Sequence, residues 1–288
     1  MIVFSDLVIE ARERIYADAV AGGLARGTDR VHGLEAGGEG AASYADSVAT
    51  YLAFAVDKLA DYGCSLAVWY PAEDRPKNLF ARQAIPMVWD FPEINPLSDI
   101  GGSFAACIRI TADSMRGIPA PVGALSTVTQ DDAAKRSYAG LLVCTDPPYY
   151  DNVPYADLSD FFYVWLRRSL GAVWPATLGT MLSPKTDELV ADAYRQGGAS
   201  SAQVFFENGF AEVFARARID APTEYPMTIF YAFKQSETDE SGVASTGWQT
   251  LLEALLRSGW EVTATWPVRT ERAGRVRDIG SNALASSI

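Results

Sequence analysis

Apolar residues recur at the spacing of an amphipathic helix in five parts of the chain. The N-terminal segment predicts one helix, and a second is predicted from about Ser43 to Tyr62. The three others are predicted at residues 157–170, 201–218 and 246–259. These helices are expected to bury their apolar faces against neighbouring elements.

Short apolar runs bounded by glycine, proline and acidic residues predict strands. They lie at residues 64–70, 85–90, 124–133, 140–146, 227–233 and 260–268. From residue 124 onward, strands alternate with helices, and this order predicts an α/β fold with a mostly parallel sheet and flanking helices. Residues 1–123 predict a helical region with short strands.

The charge of the chain changes which partners are expected. It has 24 lysines and arginines against 36 aspartates and glutamates, a net charge of -12. This balance argues against a protein that coats nucleic acid with a basic surface, although a local basic patch is compatible with it.

Cysteine and histidine usage excludes several kinds of site. Cys64, Cys107 and Cys144 lie apart in apolar segments, which predicts reduced core cysteines in a cytoplasmic protein. One histidine, His32, leaves too few ligands for a zinc site and argues against a histidine-activated nucleophile. Residues 1–20 do not predict a signal peptide, and no apolar run reaches the roughly 20 residues of a membrane span.

The segment "LLVCTDPPYY" (141–150) ends a predicted strand in an unusual way. Asp146 lies at the carboxyl end of the strand, where open α/β sheets bind ligands. Pro147 and Pro148 restrict the backbone and have no N–H group, so the segment offers acceptors without donors. Tyr149 follows with an aromatic ring.

A flat aromatic amine matches this array, because it donates two N–H bonds in the plane of a ring. Adenine and cytosine carry such an amine. Hydrogen-bond acceptors for both amine hydrogens would stabilise the positive charge that develops as the amine nitrogen attacks a methyl group. The target base would have to leave its stack to reach the site.

Five segments of the chain resemble a family of adenine-specific DNA methylases, whose longer members include a zinc ribbon. They are "FARQAIPMVWDFPEINP" (80–96), "DPPYYDNVPYADLSDFFYVWLRR" (146–168), "YRQGG" (194–198), "YAFKQSE" (231–237) and "TWPVRTE" (265–271). The resemblance implies a partial Rossmann-like methyltransferase fold dependent on S-adenosylmethionine, with DNA as its partner. Residues 124–288 would be the C-terminal part of the catalytic domain, and residues 1–123 would be insertion-like.

The resemblance also implies roles for individual residues. Asp146 and the Pro147 carbonyl would hold the amine, Pro148 would complete the rigid motif, and Tyr149 would stack on the base. In such folds, the strand before the catalytic motif ends in an acidic residue that accepts a hydrogen bond from the adenine amine of the cofactor. Here that acid would be Asp132, with Asp131 as the second choice, and Asp146 would border the same cofactor.

Two parts of the family pattern are missing from the sequence. The strand and glycine-rich turn that begin the cofactor site are not found, since "GLEAGGEG" (33–40) follows no apolar strand and is interpreted as a linker. The zinc ribbon is also missing. We therefore expect a C-terminal part of a methyltransferase, cut at both ends, that needs a second polypeptide to supply the missing cofactor-binding strands.

Residues near the motif are candidates for substrate binding. Tyr150, Asn152 and Tyr155 follow it directly, together with Asp157, and the alternative is that their hydrogen bonds only order the loop. The arginine-rich segment after the last predicted strand is either a solvated loop or a phosphate contact through Arg269, Arg272, Arg275 and Arg277. Glu93 and Asn95 recur in the resemblance, although turn formation explains Asn-Pro equally well.

The favoured function is adenine-N6 methylation of DNA, with cytosine N4 as a related target. The same motif would also suit an amine on RNA or on a protein glutamine. A different class of function remains open, in which the chain is a noncatalytic remnant or a nucleic-acid-binding subunit. The missing glycine-rich turn favours that second class.

Overall fold

The structure, a computed structural model, describes residues 1–27, 33–80, 84–119, 126–151, 153–233, 246–268 and 286–287. The chain is a mixed α/β protein that divides into two compact units. Unit 1 consists of Met1–Val128 and Tyr155–Pro184, and unit 2 of Thr129–Pro154 and Lys185–Ile288. Residues 155–184, which the sequence analysis grouped with the catalytic part, therefore lie in unit 1.

Unit 1 is mainly helical. Its elements are α1 (Ile2–Ala21), α2 (Gly40–Tyr62), β1 (Val68–Tyr70), β2 (Arg75–Lys77), α3 (Phe104–Arg116), α4 (Tyr155–Leu170) and α5 (Pro175–Leu178). Helix α2 packs against α1, α3 and α4, because a row of small residues on its surface lets neighbouring helices approach closely. That row includes Ala45, Ala49 and Ala53, each at most 1% exposed.

Buried polar contacts fix the helices of unit 1. The Asp46 carboxylate accepts from Arg12 Nε at 2.5 Å and from the Leu34 N–H at 3.1 Å. Trp174 Nε1 donates to Thr50 Oγ1 at 3.0 Å. Asp46 is almost fully buried, so its pairing with Arg12 satisfies a charge that would otherwise be costly inside the protein.

Unit 2 is built on two long helices, α6 (Ala199–Asp220) and α7 (Thr246–Arg257). Phe206, Phe210 and Phe214 recur every four residues of α6 and are buried, so they form one continuous apolar face. Leu251 and Leu255 of α7 belong to the same core cluster. This unit also contains β3 (Cys144–Thr145), β4 (Thr228–Ile229), β5 (Ala232–Phe233) and β6 (Ser286–Ser287).

The helices that the apolar spacing predicted are confirmed as α1, α2, α4, α6 and α7. Helix α3 was not predicted from its periodicity, but its start has a recognisable signal. The Ser103 hydroxyl accepts from the Ala106 N–H at 3.3 Å, as an N-cap residue does.

The predicted mostly parallel sheet is not found among the described residues. Those residues form three two-stranded ladders, of which β3 with β4 is parallel and the other two are antiparallel. The run at 85–90 forms no strand, and Pro86 within it has no N–H for a ladder. Residues 126–133 form no strand either, and the run at 260–268 contributes only a single bridge residue, Val268.

The cysteines are all free, but they do not all lie in the core. Cys107 is buried, and burial raises the pKa of its thiol to about 11. Cys144 is exposed on β3, so its prediction as a core residue was wrong. Within the described part of the chain, no helix is long and apolar enough to cross a membrane.

Asp57 of α2 gives unit 1 a pH-dependent stability. Its Oδ1 atom is buried and accepts no hydrogen bond from the described residues, and burial raises the pKa of Asp57 from 3.8 to about 8. As pH rises between these two values, the unfolded chain releases the Asp57 proton while the folded chain retains it. The free energy of unfolding therefore falls across this interval.

We expect the substitution Asp57→Asn to remove the fall in the free energy of unfolding across this pH interval. At pH 8 the variant should exceed the wild type in free energy of unfolding by at least about 1.4 kcal/mol, which corresponds to one pKa unit. Near pH 4 the difference should be much smaller. Urea denaturation at several pH values measures the effect, and Asp18→Asn on the exposed side of α1 is the control. Equal pH profiles for Asp57→Asn and the wild type would contradict the prediction.

Candidate functional site

The Asp-Pro-Pro-Tyr segment lies at the carboxyl end of the parallel strand pair in unit 2. The Thr228 N–H donates to the Val143 carbonyl at 3.0 Å, and the Phe230 N–H donates to the Thr145 carbonyl at 2.8 Å. The ladder ends there, because Pro147 and Pro148 have no N–H to continue it. Asp146 is therefore the first residue beyond the strand.

Asp146 and Tyr149 are joined directly. The Tyr149 hydroxyl donates to Asp146 Oδ1 at 2.5 Å. The Asp146 side chain is exposed and the Tyr149 ring is half-buried, so neither is enclosed within the core. A carboxylate has about four acceptor positions, so Asp146 keeps several for a ligand.

A chain of aromatic rings supports Tyr149. Its ring lies edge-on to Tyr231, with 5.5 Å between centroids and an interplanar angle of 90°. Tyr231 is only 2% exposed and lies 6.0 Å from the Trp248 ring. Edge-to-face packing of this kind holds an aromatic side chain in one orientation.

Tyr150, predicted to bind substrate, anchors the motif to the core of unit 2. Its φ of 51° lies in the left-handed region, which is uncommon for a tyrosine. The Tyr150 N–H donates to the Pro148 carbonyl at 3.2 Å, and the Tyr150 carbonyl accepts from the Ala191 N–H at 3.0 Å. The Tyr150 ring packs edge-on to Phe206 at 5.1 Å.

The loop that contains Ala191 is fixed by an arginine that the sequence analysis did not single out. Arg195 Nη1 binds Glu188 Oε2 at 2.5 Å, and Arg195 Nε lies 3.2 Å from Asp192 Oδ2. The three side chains are at most 19% exposed, so water screens these pairs less than surface pairs. The only sequence signal was the "YRQGG" segment, in which Arg195 lies.

Helix α7 also approaches the motif closely, through Gly247. A Cβ atom at this position would lie 3.0 Å from Tyr150 Cβ and 3.0 Å from the Tyr231 hydroxyl oxygen. Glycine within a predicted helix can signal such a close approach, but the sequence does not reveal which residues approach it.

The predicted cofactor acids form a turn of their own in unit 2. Asp132 accepts from Lys135 Nζ at 2.6 Å and from the Ala134 N–H at 2.9 Å, and these bonds lower the pKa of Asp132. The exposed Asp131 accepts from the Asp132 N–H at 2.9 Å. Among the described residues, no hydrogen bond or ion pair joins either acid to Asp146.

The remaining predicted residues are placed as follows. Tyr155 begins α4 in unit 1 and is 44% exposed. Asn95 forms a turn, since its Oδ1 accepts from the Leu97 N–H at 3.0 Å. Five of the predicted residues lie outside the described residues: Asn152, Arg269, Arg272, Arg275 and Arg277.

Comparison with known proteins gives no relative from which roles could be transferred. No protein-family model, no curated protein and no solved structure matches the chain. The site is therefore interpreted from its own geometry.

Gly247→Ala tests whether α7 sets the geometry of the motif. The added methyl group must displace Tyr150 or Tyr231, and overpacking of this kind costs about 1–3 kcal/mol. We expect a lower free energy of unfolding, although alanine is the better helix former. The near-ultraviolet circular dichroism of the tyrosines should change as well.

A double variant provides the internal control for this prediction. Tyr231→Phe removes the hydroxyl oxygen that the new methyl group would meet. Measured against Tyr231→Phe alone, Gly247→Ala should therefore cost less than it does in the wild type. An equal cost in both backgrounds would show that Tyr231 does not restrict this position.

Proposed function

We propose that the chain is part of an amino-methyltransferase that uses S-adenosylmethionine, with adenine N6 of DNA as the favoured target and cytosine N4 as a related one. The observation that carries the proposal is the exposed Asp146 carboxylate at the carboxyl end of a parallel strand pair, oriented by Tyr149. Ligands of open α/β sheets bind at this end of the strands.

The acceptors around Asp146 suit a planar amine. In the proposed complex, Asp146 accepts one amine hydrogen and the Pro147 carbonyl accepts the other. Among the described residues, none donates a hydrogen bond to the Pro147 carbonyl. The two bonds stabilise the positive charge that develops on the nitrogen, and the exposed Asp146 can pass the surplus proton to water.

Asp132 fits one part of the cofactor. The adenine amine of S-adenosylmethionine needs an acceptor, and the Asp132 carboxylate has acceptor positions beyond those that Lys135 and the Ala134 N–H use. Its partner Lys135 is 78% exposed, so water screens this ion pair and a ligand can compete with it. The cofactor, when bound, supplies the electrophilic methyl group.

We further propose a Rossmann-like methyltransferase fold that is completed by a second polypeptide. Strands β3 and β4 have two residues each in the described structure. A sheet needs three or more strands, or a packed helix, to be stable on its own. Strands from a partner would extend this pair and complete the cofactor site.

Asp146→Ala in the cell that produces the protein tests the function in the presence of any natural partner. We expect the methylated adenines that depend on this protein to fall at least about 100-fold, the effect of losing one electrostatic contact to a transition state. Mass spectrometry of genomic DNA and sequencing for modified bases measure the loss. The exposed Asp151, next to the motif, provides the control variant Asp151→Asn.

The same samples separate the proposal from its alternatives. A loss confined to RNA, or to methylated glutamine in protein, would assign the site to that amine instead. Unchanged methylation in Asp146→Ala would favour a noncatalytic nucleic-acid-binding subunit. Because Asp146 is exposed and loses only the hydrogen bond from Tyr149, thermal unfolding of the purified variant should remain close to that of the wild type, so a loss of methylation would not reflect misfolding.

A further inference from the structure

A short segment of unit 2, residues 188–192, joins the Asp-Pro-Pro-Tyr motif to helix α6. It contacts the motif through the Ala191 N–H, which donates to the Tyr150 carbonyl at 3.0 Å. It contacts α6 through Leu189, and Gly209 leaves room for that side chain, since a Cβ atom at position 209 would collide with it. The position of this segment therefore bears on the geometry of the motif.

Arg195 holds both ends of the segment. Its Nη1 atom donates to Glu188 Oε2 at 2.5 Å, and its Nε atom lies 3.2 Å from Asp192 Oδ2. Asp192 Oδ1 in turn accepts from the Tyr194 N–H at 2.8 Å and from the Arg195 N–H at 3.2 Å. Because a guanidinium presents its donors in a rigid planar fork, Arg195 fixes both acids at once, and the compact ammonium of a lysine would not reproduce this.

Tyr150 transmits the position of the segment to the motif. The Tyr150 N–H donates to the Pro148 carbonyl at 3.2 Å, which closes a three-residue γ-turn with Tyr149 at its centre. The φ of Tyr150 is 51°, and a tyrosine keeps such a conformation only where neighbouring contacts impose it. The hydrogen bond from Ala191 is one of these contacts, and the packing of the Tyr150 ring on Phe206 is another.

The γ-turn fixes which groups of the motif face a ligand. It occupies the Pro148 carbonyl, and it places Tyr149 where the hydroxyl donates to Asp146 Oδ1. If the hydrogen bond from Ala191 were lost, Tyr150 would relax toward a negative φ, and Tyr149 would move relative to Asp146. A displacement of about 1 Å at a reacting centre can slow a catalysed step about 100-fold.

From these contacts we infer that Arg195 is a positioning residue for the methyl transfer. It acts on Asp146 and Tyr149 through residues 188–192 and Tyr150, and not on the reacting atoms themselves. The inference rests on the proposed function and extends it, since it assigns control of the chemical step to an ion-pair network outside the motif. Arg195, Tyr150 and Asp146 all lie in unit 2.

Steady-state kinetics of Arg195→Lys tests the inference. The full chain is purified from the cell that produces it, with any polypeptide that accompanies it, and is given labelled S-adenosylmethionine and genomic DNA from Asp146→Ala cells. We expect kcat to fall at least about tenfold, whereas KM for S-adenosylmethionine stays within about twofold, because only the geometry of the reacting groups has changed. Arg257→Lys makes the same substitution in the exposed ion pair with Glu253, and this matched control should keep kcat within about twofold of the wild type.

Hydrogen exchange of the Ala191 amide tests the route of the effect. In Arg195→Lys this amide should exchange about tenfold faster, because its hydrogen bond to Tyr150 opens more often, while the amides of α7 should keep their wild-type rates. Glu188→Gln keeps the length of the side chain and removes one charge from the network, so it should change kcat and the exchange rate in the same direction by a smaller factor. If circular dichroism shows that Arg195→Lys does not fold, Glu188→Gln decides the outcome.

Asp146→Ala, measured alongside, separates this inference from the proposed function. If Asp146→Ala loses methylation while the folded network variant keeps the wild-type kcat, the inference alone is overturned. The same holds if Arg195→Lys raises KM with kcat unchanged, or if Arg257→Lys loses as much kcat as Arg195→Lys. If Asp146→Ala keeps full methylation, the proposed function fails and the inference fails with it.

Discussion

Two consecutive prolines impose the constraint on which the candidate site depends. Pro147 and Pro148 end the β3 ladder after Thr145, since neither can donate a backbone hydrogen bond. The chain then turns, and the Tyr149 hydroxyl binds the Asp146 carboxylate. Without this rigid connection, the carboxylate and the phenol would not be held together at the open end of a parallel strand pair.

The surroundings of the motif show how the core of unit 2 controls an exposed site. Tyr149 rests on the buried Tyr231, and Tyr150 packs on Phe206 of α6. Gly247 of α7 leaves room for Tyr150 and Tyr231 beside that helix. Because Tyr150 adopts an uncommon backbone conformation, these contacts must outweigh its cost of about 1–3 kcal/mol. The helices therefore position acceptors that face the solvent.

Electrostatics in this acidic chain are local. A net charge of -12 argues against a general basic surface, although three arginines line one cleft of unit 1. Arg12 contacts Asp46 and Glu13, and Arg168 contacts Asp6, so three carboxylates match the three arginines of this cleft. Such ion pairs act locally, because salt screens exposed charges beyond about 10 Å.

The sequence by itself determined five helices and the proline restriction that ends β3 in the Asp146 to Tyr149 segment. A helix closes its hydrogen bonds within its own segment, and these four residues are neighbours in the chain, so short-range pattern was sufficient. Only the tertiary structure decided which strands form, and that Tyr231, Gly247 and Arg195 support the motif. A strand needs a partner from a distant part of the chain, and the apolar runs at 85–90 and 126–133 did not acquire one among the described residues.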